Sequence, residues 1–323
     1  TGSEANELAL RIARACTGGD GIIIVDYAYH GNTHILAQAS MSYGPGDAKP
    51  AYIETVSPPD VFRGEFRGAD AGERYASLIQ AGVDALLARG VKPAAFLVDT
   101  IVSSNGILDV PPGYLGNAAD VIRSAGGLFI ADEVQPGFGR TGDTFWGFER
   151  DGLVPDIVTM GKPIGNGHPL AATVTRADLA RTFASETDYF NTFGGNPVSA
   201  AAGLAVLDVI EREELQKNAR DVGTYLRQGL RKLAEKHELI GDVRGSGLFL
   251  GVDLVTDRGS RAPASAEARK LTNALRKHGI LTNPIGKYAN ILKLRPPMVF
   301  STDHADLFLE TFDRCLSSVG DAA

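Results

Sequence analysis

Short apolar runs and longer amphipathic ones alternate along the first two thirds of the chain. Ile22–Asp26, Ala94–Val98, Leu128–Ala131, Asp156–Met160 and Ala171–Thr175 are strand-sized, largely apolar and often β-branched. Between several of them lie stretches with a helical period, such as Tyr75–Arg89 and Ala118–Ser124. Strands apolar on both faces and separated by crossover helices predict an α/β fold with a mostly parallel central sheet flanked by helices. An amphipathic run, Leu8–Ala15, follows the polar turn Thr1-Gly2-Ser3-Glu4-Ala5-Asn6, with Ser3 or Thr1 as cap and Glu4 and Glu7 near the positive helix end. A chain seldom starts on a helix cap, and no initiator methionine is present, so a missing N-terminal segment is expected.

From Pro197 the pattern changes. A helix over about Val198–Arg212 leads into a charged, periodic one over about Leu215–Lys236. A strand over Val243–Val255 and helices near Ser265–His278 and Thr302–Ser317 follow. This predicts a large domain over 1–220, N-terminally incomplete, and a smaller C-terminal α+β domain over 221–323. No internal repeat or low-complexity linker separates them.

Composition narrows the function. The 323 residues are 44% hydrophobic, which excludes a disordered chain, and the net charge of −7 argues against nucleic acid as a partner. The longest apolar runs, such as Gly21–Val25, are far too short to span a bilayer. Cys16 and Cys315 form no CxxC, so neither zinc nor a redox pair is suggested. No basic leader or cleavage site opens the sequence, which makes the cytoplasm the expected compartment. Glycine is frequent, at 38 residues, so backbone-lined turns are where chemistry is sought.

Two blocks carry it. Leu128-Phe129-Ile130-Ala131-Asp132 ends a buried strand on a carboxylate and breaks into Glu133-Val134-Gln135-Pro136-Gly137-Phe138-Gly139. In open α/β sheets ligands sit beyond the carboxyl ends of the strands, and an acid there needs a positive partner. A helix cap or a loop salt bridge is the plainer reading of such an Asp. Asp156–Met160 ends in Gly161-Lys162 and the turn Pro163-Ile164-Gly165-Asn166-Gly167-His168. Desolvation there favours the neutral, nucleophilic amine, suited to a Schiff base with an aldehyde. The plainer reading of Lys162 is a solvated lysine at a strand end. A Schiff-base lysine with an acid for a pyridinium nitrogen is what pyridoxal phosphate requires.

Gly2-Ser3-Glu4-Ala5-Asn6, Tyr29-His30-Gly31-Asn32-Thr33, Asp132-Glu133-Val134-Gln135, Gly161-Lys162-Pro163-Ile164-Gly165-Asn166-Gly167 and Thr192-Phe193-Gly194-Gly195-Asn196-Pro197 together resemble the class III aminotransferases. The resemblance covers essentially the whole chain and implies the fold type I architecture with pyridoxal 5'-phosphate as cofactor. Family members extend further at the N-terminus. It implies that Lys162 carries the cofactor and moves the proton, and that Asp132 pairs with the ring nitrogen. Tyr29 would lie against the ring, with His30 beside it among the cofactor contacts. Gln135 would bond near the phenolic oxygen. Gly2 and Ser3 would hold the phosphate at a helix N-terminus. Thr192 would reach the phosphate of a partner subunit in a homodimer. A capped helix start, a core aromatic and a loop hydroxyl are the plainer readings of Gly2 with Ser3, of Tyr29 and of Thr192.

The implied reaction is transamination between a small amino donor and a keto-acid acceptor. Two departures from the family pattern keep a second reaction open. Lys293, in Leu292-Lys293-Leu294-Arg295-Pro296-Pro297, stands where many members have a carboxylate-gripping arginine, and lysine cannot give the same forked contact. Asp99-Thr100-Ile101-Val102-Ser103 replaces the family's Glu-Pro-x-Gln-Gly. With the segment containing Arg63, these features are similar to a subgroup holding alanine–glyoxylate-type aminotransferases and phospholyases of ethanolamine phosphate. Lys293 and Arg63 are therefore the candidate substrate contacts, Arg63 being equally readable as a solvated loop residue. A catalytically weak cofactor-binding fragment is the third reading, although a silent relative would be expected to lose Lys162 or Asp132. No metal site is expected, since His30 and His34 lack the acid of HExxH. His168 is expected to support its loop, and Gly245-Ser246-Gly247 to form a strand with close backbone packing.

Overall fold

The computed structural model describes residues 1–42 and 49–320. Contacts divide the chain into two units, the first formed by Thr1–Val102, Val110–Phe138 and Trp146–Arg212.

In the first unit, Gly21–Val25 (β1), Ile53–Val56 (β2), Pro93–Asp99 (β3), Leu128–Asp132 (β4), Ile157–Met160 (β5) and Ala172–Thr175 (β6) form a six-stranded sheet in the order β2-β1-β3-β4-β5-β6. Neighbours from β2 through β5 pair parallel, and β6 runs antiparallel on the edge. Every residue of β1 and β3 is buried, because helices cover both faces. The unit's helices include Gly2–Thr17 (α1), His34–Gln38 (α2), Ala71–Ala88 (α3), Tyr114–Ser124 (α4), Ala177–Glu186 (α5) and Pro197–Arg212 (α6), of which α1, α3 and α4 pack on these two strands. Leu10, Ile12, Ile22, Ile24, Leu97 and Ile130 belong to the core between α1 and the sheet.

This is the mostly parallel sheet that the alternating pattern predicts. The pattern misses β2, whose middle residues Glu54 and Thr55 are polar and half-buried at the sheet edge. Strand order reverses between β1 and β3, and a reversal of that kind opens a crevice beyond the carboxyl ends.

The second unit comprises Ser103–Asp109, Gly139–Phe145 and the chain from Glu213 onward. Leu215–Lys236 (α7) precedes Ile240–Ser246 (β7), Phe249–Asp257 (β8) and Ala262–Pro263 (β9). Ser265–Lys277 (α8), Pro284–Ile285 (β10), Ile291–Leu294 (β11) and Thr302–Gly320 (α9) complete it. The sheet is antiparallel, in the order β10-β11-β8-β7 with β9 beside β8. Leu226, Leu230, Leu250, Leu271, Phe308 and Phe312 lie in its core.

One expectation is corrected here. The single strand over Val243–Val255 is a hairpin, because the chain turns at Gly247, whose φ of +57° suits glycine. The close packing expected of the Gly245–Gly247 segment is present: a Cβ on Gly223 of α7 would fall 2.1 Å from the Gly247 carbonyl oxygen. The two short segments join this unit through polar contacts. Arg244 Nε donates to the Gly106 carbonyl at 3.0 Å, and Ser246 Oγ donates to Asp143 at 2.9 Å.

Candidate active site

Four parallel strands and one helix deliver side chains to one cavity of about 270 Å³ in the first unit. The chain after β1 supplies Tyr29, His30, Gly31 and Asn32, β3 ends in Asp99, and β4 ends in Asp132 followed by Val134 and Gln135. Lys162 follows β5, and Thr1, Gly2, Ser3 and Asn6 come from the start of α1. The structure thus brings together Gly2, Ser3, Tyr29, His30, Asp132, Gln135 and Lys162. Thr192 is exposed and Arg63 half-exposed, and neither lines this cavity. Lys293 belongs to the second unit. There it lines a separate cavity of about 490 Å³ with Arg295, Asn283 and His304.

Glycines let α1 approach the strand ends. A Cβ on Gly161 would come 3.2 Å from Gly2 Cα, and one on Gly2 would come 2.9 Å from a Val134 methyl. The N-terminal turn of α1, with its unsatisfied N–H groups, therefore abuts the ends of β4 and β5. Gly31 adopts φ +147°, and a Cβ there would fall 2.7 Å from Ser3 Oγ. That oxygen accepts the Asn32 amide at 3.1 Å.

Asp132 is 5% exposed and held by three donors. His30 Nδ1 stands 2.8 Å and Asn6 Nδ2 2.9 Å from Oδ2, while the Val134 amide donates to Oδ1 at 3.1 Å. Asn6 also donates to the His30 carbonyl at 2.8 Å and accepts from Thr159. The carboxylate fixes the His30 proton on Nδ1. His30 Nε2 is a buried atom with no hydrogen-bond partner among the described residues. Lys162 has φ +38°, a left-handed backbone that is costly for a residue with a side chain. It opens the turn Lys162–Gly165, and in the loop that follows His168 Nε2 lies 2.8 Å from Ser199 Oγ. His168 thus supports its loop as expected.

Asn6 and Asp99 are two polar cavity residues to which the sequence reading gives no site role. Asn6 lies four residues after Gly2, one helical turn away on the same face, which is a readable signal. Asp99 pairs in register with Asp132 across β3 and β4, so the two carboxylates share a sheet face. Glu133, the next residue, is fully buried, and burial pushes its carboxyl up to about 7.

The aminotransferase class-III family matches residues 1–316. The chain belongs to the class III aminotransferases. It is 46% identical to an Arabidopsis thaliana protein named "Alanine--glyoxylate aminotransferase 2 homolog 2, mitochondrial", over 99% of this chain and 66% of that one. Among solved structures, a phospholyase from Arthrobacter in complex with phosphoethanolamine superposes with a TM-score of 0.94 at 43% identity, covering 98% of this chain and 76% of that chain. A PLP-bound amine transaminase from an uncultivated Pseudomonas species gives a TM-score of 0.89 at 29% identity, covering 98% of this chain and 75% of that chain. The chain thus spans about two thirds of the length of this curated relative. No helix among the described residues is long and apolar enough to cross a membrane.

The family cofactor is pyridoxal 5'-phosphate, and the residues present fit it. Helix N–H groups and the Ser3 hydroxyl suit a phosphate, an acid buried among donors suits a protonated ring nitrogen, and Lys162 is the lysine in the lining that could offer an amine. The unpartnered His30 Nε2 leaves a polar atom to be satisfied in the same cavity.

Proposed function

We propose that this chain performs transamination, moving an amino group between a small amino donor and a keto-acid acceptor, with Lys162 as its catalytic amine and Asp132 as its anchor acid. When bound, pyridoxal 5'-phosphate supplies an electron-withdrawing ring that stabilises negative charge at the donor's α-carbon. Lys162 Nζ would be the amine that holds the cofactor and the base that moves the proton at the donor's α-carbon. Asp132, fixed by His30, Asn6 and Val134, would hold the ring nitrogen as a charged partner. Tyr29, His30 and Gln135 would hold the ring, and Gly2 and Ser3 would hold the phosphate.

The observation that carries this reading is the convergence of Lys162, Asp132 and the α1 N-terminus on one cavity. Its test is borohydride reduction with the cofactor, followed by peptide mapping and a turnover assay with an amino donor plus pyruvate or glyoxylate. Label on Lys162 together with keto-acid-dependent turnover supports it. Label on another lysine sinks the assignment.

The working unit in this reading is a homodimer. Thr192 sits beside Phe190 and Phe193, which are 83% and 77% exposed, and α6 exposes Val198 and Leu204. Apolar surface of this kind marks a protein interface, and Thr192 would reach the partner's phosphate there.

A second reading has specific support. The superposition on a phospholyase holding phosphoethanolamine, with Lys293 in the arginine position, favours elimination of phosphate and ammonia from a phosphorylated amine. Lys293 and Arg295 lie 5.1 and 5.8 Å from the Phe249 ring centroid, beside a cavity suited to an anionic group. Arg63 is the other candidate anion contact. Sustained phosphate release from ethanolamine phosphate without a keto acid would establish this reaction in place of transamination.

A further inference from the structure

Glu133 follows the anchor acid just past the end of β4, is not among the residues lining the cavity, and shares no carboxylate partner with Asp132. It is fully buried, and every partner of its carboxylate is a donor. Oε1 accepts from Thr100 Oγ1 at 2.7 Å and from the Phe148 amide at 3.0 Å, while Oε2 accepts the Gly147 amide at 2.8 Å. Its backbone carbonyl accepts the Gly137 amide at 3.2 Å. One residue thus ties together the end of β3, the end of β4 and the turn that begins at Gly147.

These ties have no slack. A Cβ on Gly147 would fall 2.2 Å from Thr100 Oγ1, and one on Gly137 would fall 2.9 Å from the Trp146 ring. Trp146 in turn packs on Phe138 and Phe148, with ring centroids 5.2 and 6.3 Å away. The segments held this way are those that line the cavity: Asp99 precedes Thr100, and Val134 and Gln135 follow Glu133. The Val134 amide also donates directly to Asp132. A buried carboxylate whose partners are neutral dipoles is an expensive way to fill space. Only an acceptor on both oxygens satisfies three converging donors, which gives Glu133 a geometric job.

We propose that Glu133, with Thr100 as its partner, is a positioning residue that sets the cavity wall of Asp99, Val134 and Gln135 and thereby the affinity for the cofactor. This rests on reading the cavity as a pyridoxal 5'-phosphate site.

The test titrates apo-protein with pyridoxal 5'-phosphate, following its visible absorbance, and records thermal unfolding of the apo forms. The variants are Thr100→Val, Thr100→Ser, Glu133→Gln and Glu133→Ala. Loss or reversal of one bond to this buried carboxyl predicts about a tenfold rise in Kd for Thr100→Val and Glu133→Gln, and about a hundredfold rise for Glu133→Ala. Thr100→Ser, which keeps the hydroxyl, restores affinity to within about twofold of the original. The bound cofactor's absorbance maximum shifts in the weakened variants. Apo-proteins that melt earlier yet bind with unchanged Kd and spectrum would show a purely structural role and overturn the proposal. If Glu133→Ala does not fold, the two volume-preserving variants, Thr100→Val and Glu133→Gln, decide. A wild-type chain that binds no cofactor would refute the underlying site reading, whereas equal binding by wild type and variants would refute the Glu133 proposal alone.

Discussion

Asp132→Asn separates anchoring the cofactor from holding the fold. In the native site Oδ2 faces His30 Nδ1 and Asn6 Nδ2, and Oδ1 faces the Val134 amide, so all three partners donate. An amide cannot satisfy that set. Turned one way its NH2 meets His30 and Asn6, and turned the other way it meets Val134. The second orientation is cheaper, with a single reversed contact worth about 1–3 kcal/mol. Against a typical stability of about 5–15 kcal/mol, the variant stays folded. The end proposed to hold the phosphate, Gly2 and Ser3, is untouched, so cofactor affinity should fall by no more than about tenfold. Catalysis suffers more, because neutralising one partner of a buried ion pair costs about 3–5 kcal/mol. At about 1.4 kcal/mol per decade, turnover should drop between about a hundredfold and a few thousandfold. The assay measures cofactor Kd by absorbance titration and kcat on the same preparation. Near-normal kcat with a loaded site would refute the electrostatic role assigned to Asp132.

Asn6→Ala removes bonds to Asp132 and the His30 carbonyl and orphans the Thr159 hydroxyl; it should cost about 3–6 kcal/mol in urea unfolding. Gly31→Ala should abolish tight cofactor binding, since its Cβ would strike Ser3. The control Gly90→Ala, at φ +73° with no described atom within 4 Å, should cost only about 1–2 kcal/mol of stability and leave binding unchanged. Burial, aided by the charge of Asp99, raises the Glu133 carboxyl from 4.5 to about 7 despite its three donors. The folded state therefore holds this proton more tightly than the unfolded chain. Its contribution of about 3 kcal/mol is full below pH about 4.5 and lost as pH rises through about 7. Glu133→Gln should remove that slope in urea midpoints taken between pH 5 and 8, and an unchanged slope would contradict the assignment. Sedimentation of the natural full-length protein should show no active monomer, and Phe190→Asp with Phe193→Asp should weaken association.

The strands, and the arrival of Lys162 and Asp132 at one cavity, are legible because their signals are local. Lys162 and Asp132 each end a buried apolar run and are followed at once by turn residues, so neighbours in sequence announce them. The hairpin over Ile240–Asp257 is misread for the same reason. Its apolar character continues across Gly247, and only the left-handed backbone there reverses the chain. The excursions Ser103–Asp109 and Gly139–Phe145 into the second unit are held by single side chains such as Arg244 and Ser246, and they leave no compositional mark.

What supports the site is written in pairings instead. Asn6 lies 126 positions from the acid it holds, and Thr100 lies 33 from Glu133. Asp99 becomes a cavity residue because β3 pairs β4 with Asp99 opposite Asp132. A slip of one residue would turn it to the other sheet face and bring Thr100 into the cavity. Register therefore decides which of two adjacent polar residues meets the ligand and which braces the wall, and Asp132 and Glu133 likewise share no carboxylate partner. A sequence reading that finds the acid at a strand end can look next to the residue that follows. When that residue is also a carboxylate and must be buried, it needs donors from neighbouring segments, and those segments are the walls of the site.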